Sequence, residues 1–377
     1  MNTTGASGSK ASIPEQFGLI NLLKAGAAQL IVLHHLAFYG PMSSAARPLA
    51  PGVVDWLDAY GRIAVQVFLV IGGFLAAKSL SPHGRPGLAN PLSTIWRRYL
   101  KLAPAFFVAM LLAVCASALA RTWMDHDSIS APASFAQLAA HMLLLHDVLG
   151  YEALSAGAWY VAIDFQLYAS LTFLLWLSGR LAGERQAAWL VPLMVLAATA
   201  LSLFYFNRDS GWDTWAPYFF GSYGLGILAW WASDPRRGNG ATAMLWLLMV
   251  APTLLALTLD FRIRIAVAAV VMCVLILFGR TKLDVRARRG WPVVNYVAKI
   301  SYSIFLVHFP VCLVVNAAFT RFAPGNAEWQ LAGVVVAWTA SVAAGAAFCR
   351  WVEAPLGRVL ASLLGPVRPR PVPVKVG

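Results

Sequence analysis

The stretch FGLINLLKAGAAQLIVLHHLAFYG, residues 17–40, decides the fold of this chain. It is mostly apolar over about 20 residues, the length that a bilayer's hydrocarbon core requires of a spanning helix. Its basic side chains are Lys24, His34 and His35. The stretch therefore predicts a transmembrane helix that carries polar groups at depths where lipid tolerates them poorly.

The composition of the whole chain also indicates a protein that lies in a lipid bilayer. Of its 377 residues, 59 % are hydrophobic and 12 % are charged, whereas an ordinary soluble protein has roughly 25 % charged residues. This balance excludes a soluble or disordered protein. Further apolar runs follow the same length rule, and the complete set is 17–39, 60–77, 102–120, 157–178, 188–206, 214–232, 241–259, 264–280, 293–319 and 329–350. Because the runs lack barrel alternation, we predict an all-α, polytopic membrane protein with about ten transmembrane helices.

The net charge of +13 indicates orientation rather than nucleic-acid binding, because Lys and Arg concentrate in alternate short loops. This pattern places the N- and C-termini in the cytoplasm. We predict a flexible N-terminus at 1–16, a transmembrane domain at 17–357 and a basic, Pro-rich cytoplasmic tail at 358–377. The short apolar run 135–146 is predicted to be an interfacial or re-entrant piece of a loop.

Cysteine spacing favours neither a metal site nor a disulfide framework. All four cysteines lie inside apolar runs without a CxxC pair, which is typical of packing residues. They are Cys115, Cys273, Cys312 and Cys349.

Lys24 and His35 are eleven residues apart in the first helix. This is about three turns, so the two side chains share one stripe at an axial separation of about 16 Å. Lys24 could instead snorkel to the interface, and the histidines could serve as hydrogen bonds between helices. His34 points about 100° away from the stripe, so we expect it to be the structural member of the histidine pair.

The run AWYVAIDFQLYASL, residues 158–171, places Tyr160, Asp164 and Tyr168 at i, i+4 and i+8 on one face. A carboxylate inside a span is costly and is therefore expected to be functional. It is ionised only if a cation stands opposite, for which Lys24, Lys299 or a protonated histidine are candidates.

Three cations, Arg97, Arg98 and Lys101, precede the third long run. Such a cluster can hold the phosphates of a coenzyme or bind anionic lipid. Near the end of the chain, Glu353 is expected to be an interfacial anchor paired with Arg350 and Arg358.

Two further patterns lie in the second and ninth runs. Gly72 and Gly73 allow close helix packing. Ser301 and His308 share one face with Tyr302 nearby, and helix–helix hydrogen bonding is the simplest interpretation of the hydroxyls.

Taken in order, these residues resemble the acyltransferase-3 family of bacterial integral membrane acyltransferases. The matching positions are Asn21, Lys24 and His35; Phe68 through Phe74; Arg98, Lys101 and Pro104; Trp159 through Asp164 with Gln166 and Tyr168; Ser301, Tyr302, Ser303 and His308; and Glu353, Ala354 and Pro355. The sequence departs from the family pattern with Lys at 24 and 101, Asp at 164, Asn at 21 and Gly at 72.

The resemblance implies transfer of an acyl group, usually acetyl, from cytoplasmic acetyl-CoA or another acyl-CoA to a hydroxyl of a cell-surface polysaccharide, lipid-linked sugar or glycoside. It implies a multi-pass protein of the bacterial inner membrane, with acyl-CoA as donor substrate and no permanently bound cofactor or metal. Nucleic acid is not an expected partner, whereas glycan-assembly proteins are.

The resemblance also implies roles for individual residues. Lys24, Arg97, Arg98 and Lys101 would hold the coenzyme phosphates. His35 would remove the proton of the acceptor hydroxyl or take the acyl group itself, and Asp164 would orient or charge-balance His35 or a cation. The substrate path would be lined by Tyr168, Ser301, Tyr302 and His308.

Two other classes of function remain open from the residues alone. A transporter or flippase for a glycolipid or small solute would use intramembrane Lys, His and Asp for proton relay or substrate binding. A non-catalytic scaffold for glycan assembly would leave the cost of His35 and Asp164 unexplained.

Overall fold

The structure, a computed structural model, describes residues 15–86, 90–182, 184–234, 238–280 and 291–364. These residues form helices and connecting turns, with no strand among them, so the all-α prediction is confirmed. The predicted segment 1–16 and the predicted tail 358–377 lie largely outside the described residues, although a helix continues through the predicted boundary at 357.

The α-helices are α1 (Glu15–Phe38), α2 (Pro41–Ala46), α3 (Pro51–Tyr60), α4 (Ala64–Leu80), α5 (Pro91–Ala120), α6 (Phe135–Met142), α7 (Ala158–Leu181), α8 (Glu184–Phe204), α9 (Ala216–Ala232), α10 (Asn239–Leu259), α11 (Ile263–Arg280), α12 (Trp291–Phe322), α13 (Ala327–Phe348) and α14 (Ala354–Leu364). Short 3₁₀ turns occur at Arg47–Leu49, Gly61–Ile63, Phe206–Arg208 and Ser210–Trp212, and one π-helical segment occurs at Cys349–Glu353.

Each of the ten predicted apolar runs coincides with a helix, namely α1, α4, α5 and α7 through α13. In the described part of the chain, eight helical segments are long and apolar enough to cross a membrane. The other two helices are shorter. Helix α9 has 17 residues, and the apolar part of α11 is Ile263–Phe278. The count of ten spans and the side of the membrane on which each terminus lies remain predictions.

Helix α9 is buried along nearly its whole length, which explains why it can be short. At 1.5 Å per residue it extends about 26 Å, less than the roughly 30 Å of a hydrocarbon core. A helix surrounded by other helices does not have to reach both interfaces itself. We therefore place α9 at the centre of the bundle, packed on α4, α8 and α11.

Two glycines bring α4 and α9 into backbone contact. A Cβ atom at Gly73 would lie 1.9 Å from the carbonyl oxygen of Tyr223, and one at Gly226 would lie 1.9 Å from that of Val70. The packing role expected for Gly73 is therefore present, whereas Gly72 faces a cavity. Small residues at such a crossing allow helices to pack closely without a hydrophobic driving force between them.

The loop between α5 and α7 folds back along α5. It leaves α5 at Ala120, yet the Tyr99 hydroxyl, about 30 Å back along the helix, donates a hydrogen bond of 2.8 Å to the carbonyl of Met142 in α6. The run 135–146 therefore lies beside the first turns of α5, and its interfacial or re-entrant position in a membrane remains a prediction.

The loop between α5 and α7 carries a buried histidine beside a partly buried carboxylate. His146 is fully buried, its ring stacks on His141 at a centroid distance of 4.0 Å, and its Nε2 lies 3.5 Å from Asp147 Oδ2. Burial, together with His141, lowers the pKa of His146 to about 3. Burial and the charge of Asp213 raise the pKa of Asp147 to about 6. The contact therefore joins a neutral imidazole to a carboxylate that is costly to ionise.

We expect Gly73→Ala to destabilise the protein, because the added methyl group would force α4 and α9 apart. Overpacking of this kind costs about 1–3 kcal/mol or more. The melting temperature of the purified protein in detergent should fall clearly below that of wild type. Gly26→Ala is the control, since no heavy atom lies within 4 Å of a Cβ atom there. Equal melting temperatures for the two variants would contradict the contact.

We expect Asp147→Asn to stabilise the protein at pH 7–8. The folded-state pKa of Asp147 lies above its ordinary value of 3.8, so the wild type loses stability as the pH rises from about 4 to above 6. Removing the carboxylate should recover about 1–3 kcal/mol there and have no effect near pH 4. Thermal unfolding across this pH range tests the expectation, with exposed Asp125→Asn as control. A stability difference that is independent of pH would refute it.

Candidate functional site

A cavity of about 570 Å³ opens at the end of the bundle where α1, α5 and α12 begin. Its walls come from α1, α4, α5, α7 and α12, and from the segment that follows α13. Residues of α14, namely Leu356, Gly357, Leu360 and Ala361, close one side. The volume falls within the range of about 300–1,000 Å³ that is typical of ligand sites.

Among the described residues, five basic side chains line this cavity, against two acidic ones. The basic residues are Lys24, Arg97, Arg98, Lys101 and Lys299, and the acidic residues are Asp164 and Glu353. An excess of positive charge within low-dielectric walls attracts anions and strengthens their binding. The predicted phosphate-binding residues are thus brought together, and Lys299, which the sequence suggested only as a partner for Asp164, joins them.

Asp164 forms an ion pair with Arg98, whose guanidinium donates a short hydrogen bond to the carboxylate. The same guanidinium lies 5.0 Å from the ring centroid of Tyr168. A Cβ atom at Gly72 would lie 3.5 Å from Asp164 Oδ1 and 3.4 Å from the Tyr223 ring. The cation opposite Asp164 is therefore Arg98 of α5, and not Lys24, Lys299 or a histidine, which the sequence suggested as candidates.

Glu353 lies apart from the two arginines expected to anchor it. Within the described residues it forms no ion pair with Arg350 or Arg358, and it accepts a short hydrogen bond from the Ser303 hydroxyl. It faces the cavity and lies within electrostatic range of Lys24 and Lys101. The anchor interpretation was wrong because the π-helical turn at Cys349–Glu353 changes the direction of this side chain.

The two predicted hydroxyl residues of α12 both line the cavity. The Tyr302 hydroxyl donates a hydrogen bond of 3.2 Å to the carbonyl of Leu102 in α5, and Ser301 donates one of 2.9 Å to the carbonyl of Ala298 in its own helix. Tyr302 therefore joins α12 to α5, as expected of a hydrogen bond between helices, whereas Ser301 bonds within its own helix and differs from that expectation.

His35 and His308 form a buried pair outside the cavity. His35 Nδ1 lies 2.6 Å from His308 Nε2, and the two rings are nearly parallel, with an interplanar angle of 10°. The side chains are 6 % and 0 % exposed. His34 instead contacts the Leu57 carbonyl through Nδ1 at 2.8 Å, as expected of the structural histidine.

The hydrogen bonds of the pair fix its protons when both rings are neutral. His308 Nδ1 lies 3.1 Å from the Ile304 carbonyl, which can only accept a hydrogen bond, so Nδ1 carries the proton and Nε2 is an acceptor. His35 Nδ1 must then donate to His308 Nε2. The remaining nitrogen, His35 Nε2, is left with a free lone pair. This arrangement gives His35 the form that a general base requires.

The structure thus separates most of the predicted site residues into two groups. The charged residues, with Ser301 and Tyr302, surround the cavity, whereas His35 and His308 lie beyond its wall. Tyr168 is not among the lining residues and contacts Arg98 through its ring.

Phe68 and Phe305 were not predicted as site residues, although both line the cavity. Their signal was weak, since aromatic residues in a span are usually packing or lipid-facing. Phe68 begins the matched stretch Phe68 through Phe74, and Phe305 lies one turn before His308; these positions were the sequence features that could have indicated a place near the site.

Comparison with known proteins gives one extensive match. A family model described as an acyltransferase domain matches residues 18–350. The "Regulator of hypoxia-inducible factor 1" of Caenorhabditis elegans is 29 % identical over 107 residues, which are 28 % of this chain and 21 % of that protein. The match thus spans about a fifth of that relative. No solved structure matches the chain.

We expect Asp164→Asn to destabilise the protein strongly, because it leaves the Arg98 charge without its partner. Breaking a buried pair in this way costs about 3–5 kcal/mol. The double variant Arg98→Met with Asp164→Leu should recover much of this loss, since it removes both charges. Thermal unfolding of the three proteins in detergent measures the effect, with exposed Arg97→Met as control. The pair is not structurally important if Asp164→Asn melts like wild type.

Proposed function

The chain belongs to the acyltransferase-3 family and is a membrane acyltransferase, and we propose that it moves an acetyl group from cytoplasmic acetyl-CoA to a hydroxyl of a cell-surface polysaccharide, lipid-linked sugar or glycoside. We place it in a bacterial inner membrane. The single observation that carries the proposal is the His35–His308 pair, which leaves His35 Nε2 free as a base and which the ring of Phe305 separates from a cation-lined cavity.

The cavity is the donor site in this proposal. A coenzyme A thioester is an anion with a pyrophosphate and a further phosphate, and charge-assisted hydrogen bonds from Lys and Arg are suited to these groups. Lys24, Arg97, Lys101 and Lys299 face the cavity together with Arg98. Because Arg98 is already paired with Asp164, we assign the phosphates mainly to Lys24, Lys101 and Lys299.

The transfer step uses His35 as general base. His35 Nε2 takes the proton of the acceptor hydroxyl, the hydroxyl oxygen forms a bond to the thioester carbonyl carbon, and the carbon–sulfur bond breaks. The proton then passes to the departing coenzyme thiolate. His308 is a positioning residue, because it accepts the hydrogen bond that holds His35 in the required tautomer. Acyl transfer through His35 itself would use the same lone pair.

The roles of the remaining predicted residues follow from their contacts. Asp164 balances the charge of Arg98 rather than that of His35. Tyr302 and Ser301 line the donor side of the path, whereas Tyr168 supports Arg98 through its ring. We assign the acceptor to the side of His35 that faces away from this cavity.

We expect His35→Ala to abolish transfer while leaving donor binding intact, since the general base typically contributes about 10²–10⁴-fold. Acceptor acetylation is followed by mass spectrometry, and donor binding by thermal stabilisation with acetyl-CoA. His34→Asn is the matched control, because asparagine keeps a donor for the Leu57 carbonyl.

Retained acetylation in a folded His35→Ala protein would overturn the role of His35. If acetyl-CoA fails to stabilise the wild type and the protein drives solute uptake in vesicles, the transporter alternative replaces the proposal.

A further inference from the structure

Three aromatic rings close the cavity at the end that faces the histidines. They are Phe68 of α4, Tyr160 of α7 and Phe305 of α12, and all three line the cavity. Their ring centroids lie 6.1 Å apart for Phe68 and Tyr160, 6.3 Å for Phe68 and Phe305, and 5.2 Å for Tyr160 and Phe305. We call this group the aromatic wall.

Phe305 is the member of the wall that touches both sides. Its ring centroid lies 6.0 Å from that of His308, while the same ring faces the cavity. Within the described residues, neither Phe68 nor Tyr160 has a ring contact with His35 or His308. Among these three rings, Phe305 is therefore the one that lies between the cavity and the histidine pair.

The Phe305 ring is held in place from behind by a glycine. A Cβ atom at Gly157 would lie 3.0 Å from Phe305 Cε1 and 3.2 Å from its Cζ. The ring therefore packs directly against backbone at the start of α7, and Phe305 is 5 % exposed. With Gly157 behind it and Tyr160 beside it, the ring has a defined position rather than a loose one.

We propose that Phe305 determines the length of the acyl group that the enzyme accepts, an inference that rests on the proposed function. With its phosphates at the cations near the cavity mouth, a coenzyme thioester places its acyl end against the aromatic wall. A two-carbon group can reach the histidine pair past the Phe305 ring, whereas each further methylene must displace the ring or its neighbours. Close packing makes that displacement costly.

The same step occurs with any acyl length. The carbon–sulfur bond of the thioester breaks, an ester bond forms to the acceptor oxygen, and the hydroxyl proton passes through His35 to the thiol. Only the space available to the acyl chain differs, so Phe305 acts on specificity rather than on the chemistry. It is a positioning residue in this proposal.

The test compares kcat/KM for acetyl-CoA and butyryl-CoA in wild type, Phe305→Ala and Phe305→Leu. One methylene in an apolar site is worth about 10–200-fold in discrimination. We expect wild type to disfavour butyryl-CoA by at least about 10-fold and Phe305→Ala to raise the butyryl-to-acetyl ratio by about 10-fold or more. Phe305→Leu should lie in between. Phe319→Ala, which truncates a partly buried phenylalanine elsewhere on α12, should leave the ratio unchanged.

A second measurement does not require turnover. The second measurement is the rise in melting temperature that non-reactive thioether analogues of butyryl-CoA and acetyl-CoA produce. We expect the rise with the butyryl analogue, relative to that with the acetyl analogue, to be larger in Phe305→Ala than in wild type. This comparison can be made even if the variant has lost activity. Should Phe305→Ala misfold, Phe305→Leu carries the same comparison.

The outcomes separate the two proposals. If wild type transfers acetyl groups but folded Phe305→Ala and Phe305→Leu keep the wild-type ratio in both measurements, the role of Phe305 is refuted and the proposed function stands. If wild type neither binds acetyl-CoA nor transfers an acetyl group, the proposed function itself fails, and the inference fails with it.

Discussion

The ion pair of Arg98 and Asp164 is the interaction on which the site depends. A carboxylate inside a span is stable only with a cation beside it, so this pair fixes α5 against α7. Those helices supply two walls of the cavity, and Tyr302 joins the same stretch of α5 to α12 through the Leu102 carbonyl. Lys24 and Lys101 lie within electrostatic range of Glu353. Among the described residues that line the cavity, basic side chains outnumber acidic ones, so the site favours an anion.

The histidine pair has the opposite environment. His35 and His308 are almost completely buried among aromatic and aliphatic side chains, and their hydrogen bonds run along one line to the Ile304 carbonyl. A dry environment strengthens each of these bonds and favours neutral rings. The charged residues of the cavity and the histidine pair therefore occupy separate environments, one polar and one apolar.

Much of the fold follows from the sequence, because span length and polarity are one-dimensional properties. The ten apolar runs became helices, and periodicity placed Asp164 and Tyr160 together on the wall of one cavity. Periodicity does not say which helix stands opposite, so Arg98 was not identified as the partner of Asp164. Glu353 was assigned to nearby arginines, but a π-helical turn directs it elsewhere. The role of Phe305 was not apparent because a phenylalanine in a span looks the same whether it faces lipid, core or cavity.

The backbone contact between α4 and α9 has a consequence for the shape of the cavity. With Gly73 against Tyr223 and Gly226 against Val70, these helices cannot slide past each other without a collision of main-chain atoms, and separating them would lose this close packing. The wall that contains Phe68 and Gly72 is therefore rigid. Another wall includes α14, a single helix with one face on the cavity and with Val359 exposed on its other side. The cavity therefore has one rigid wall, and its width depends on the position of α14.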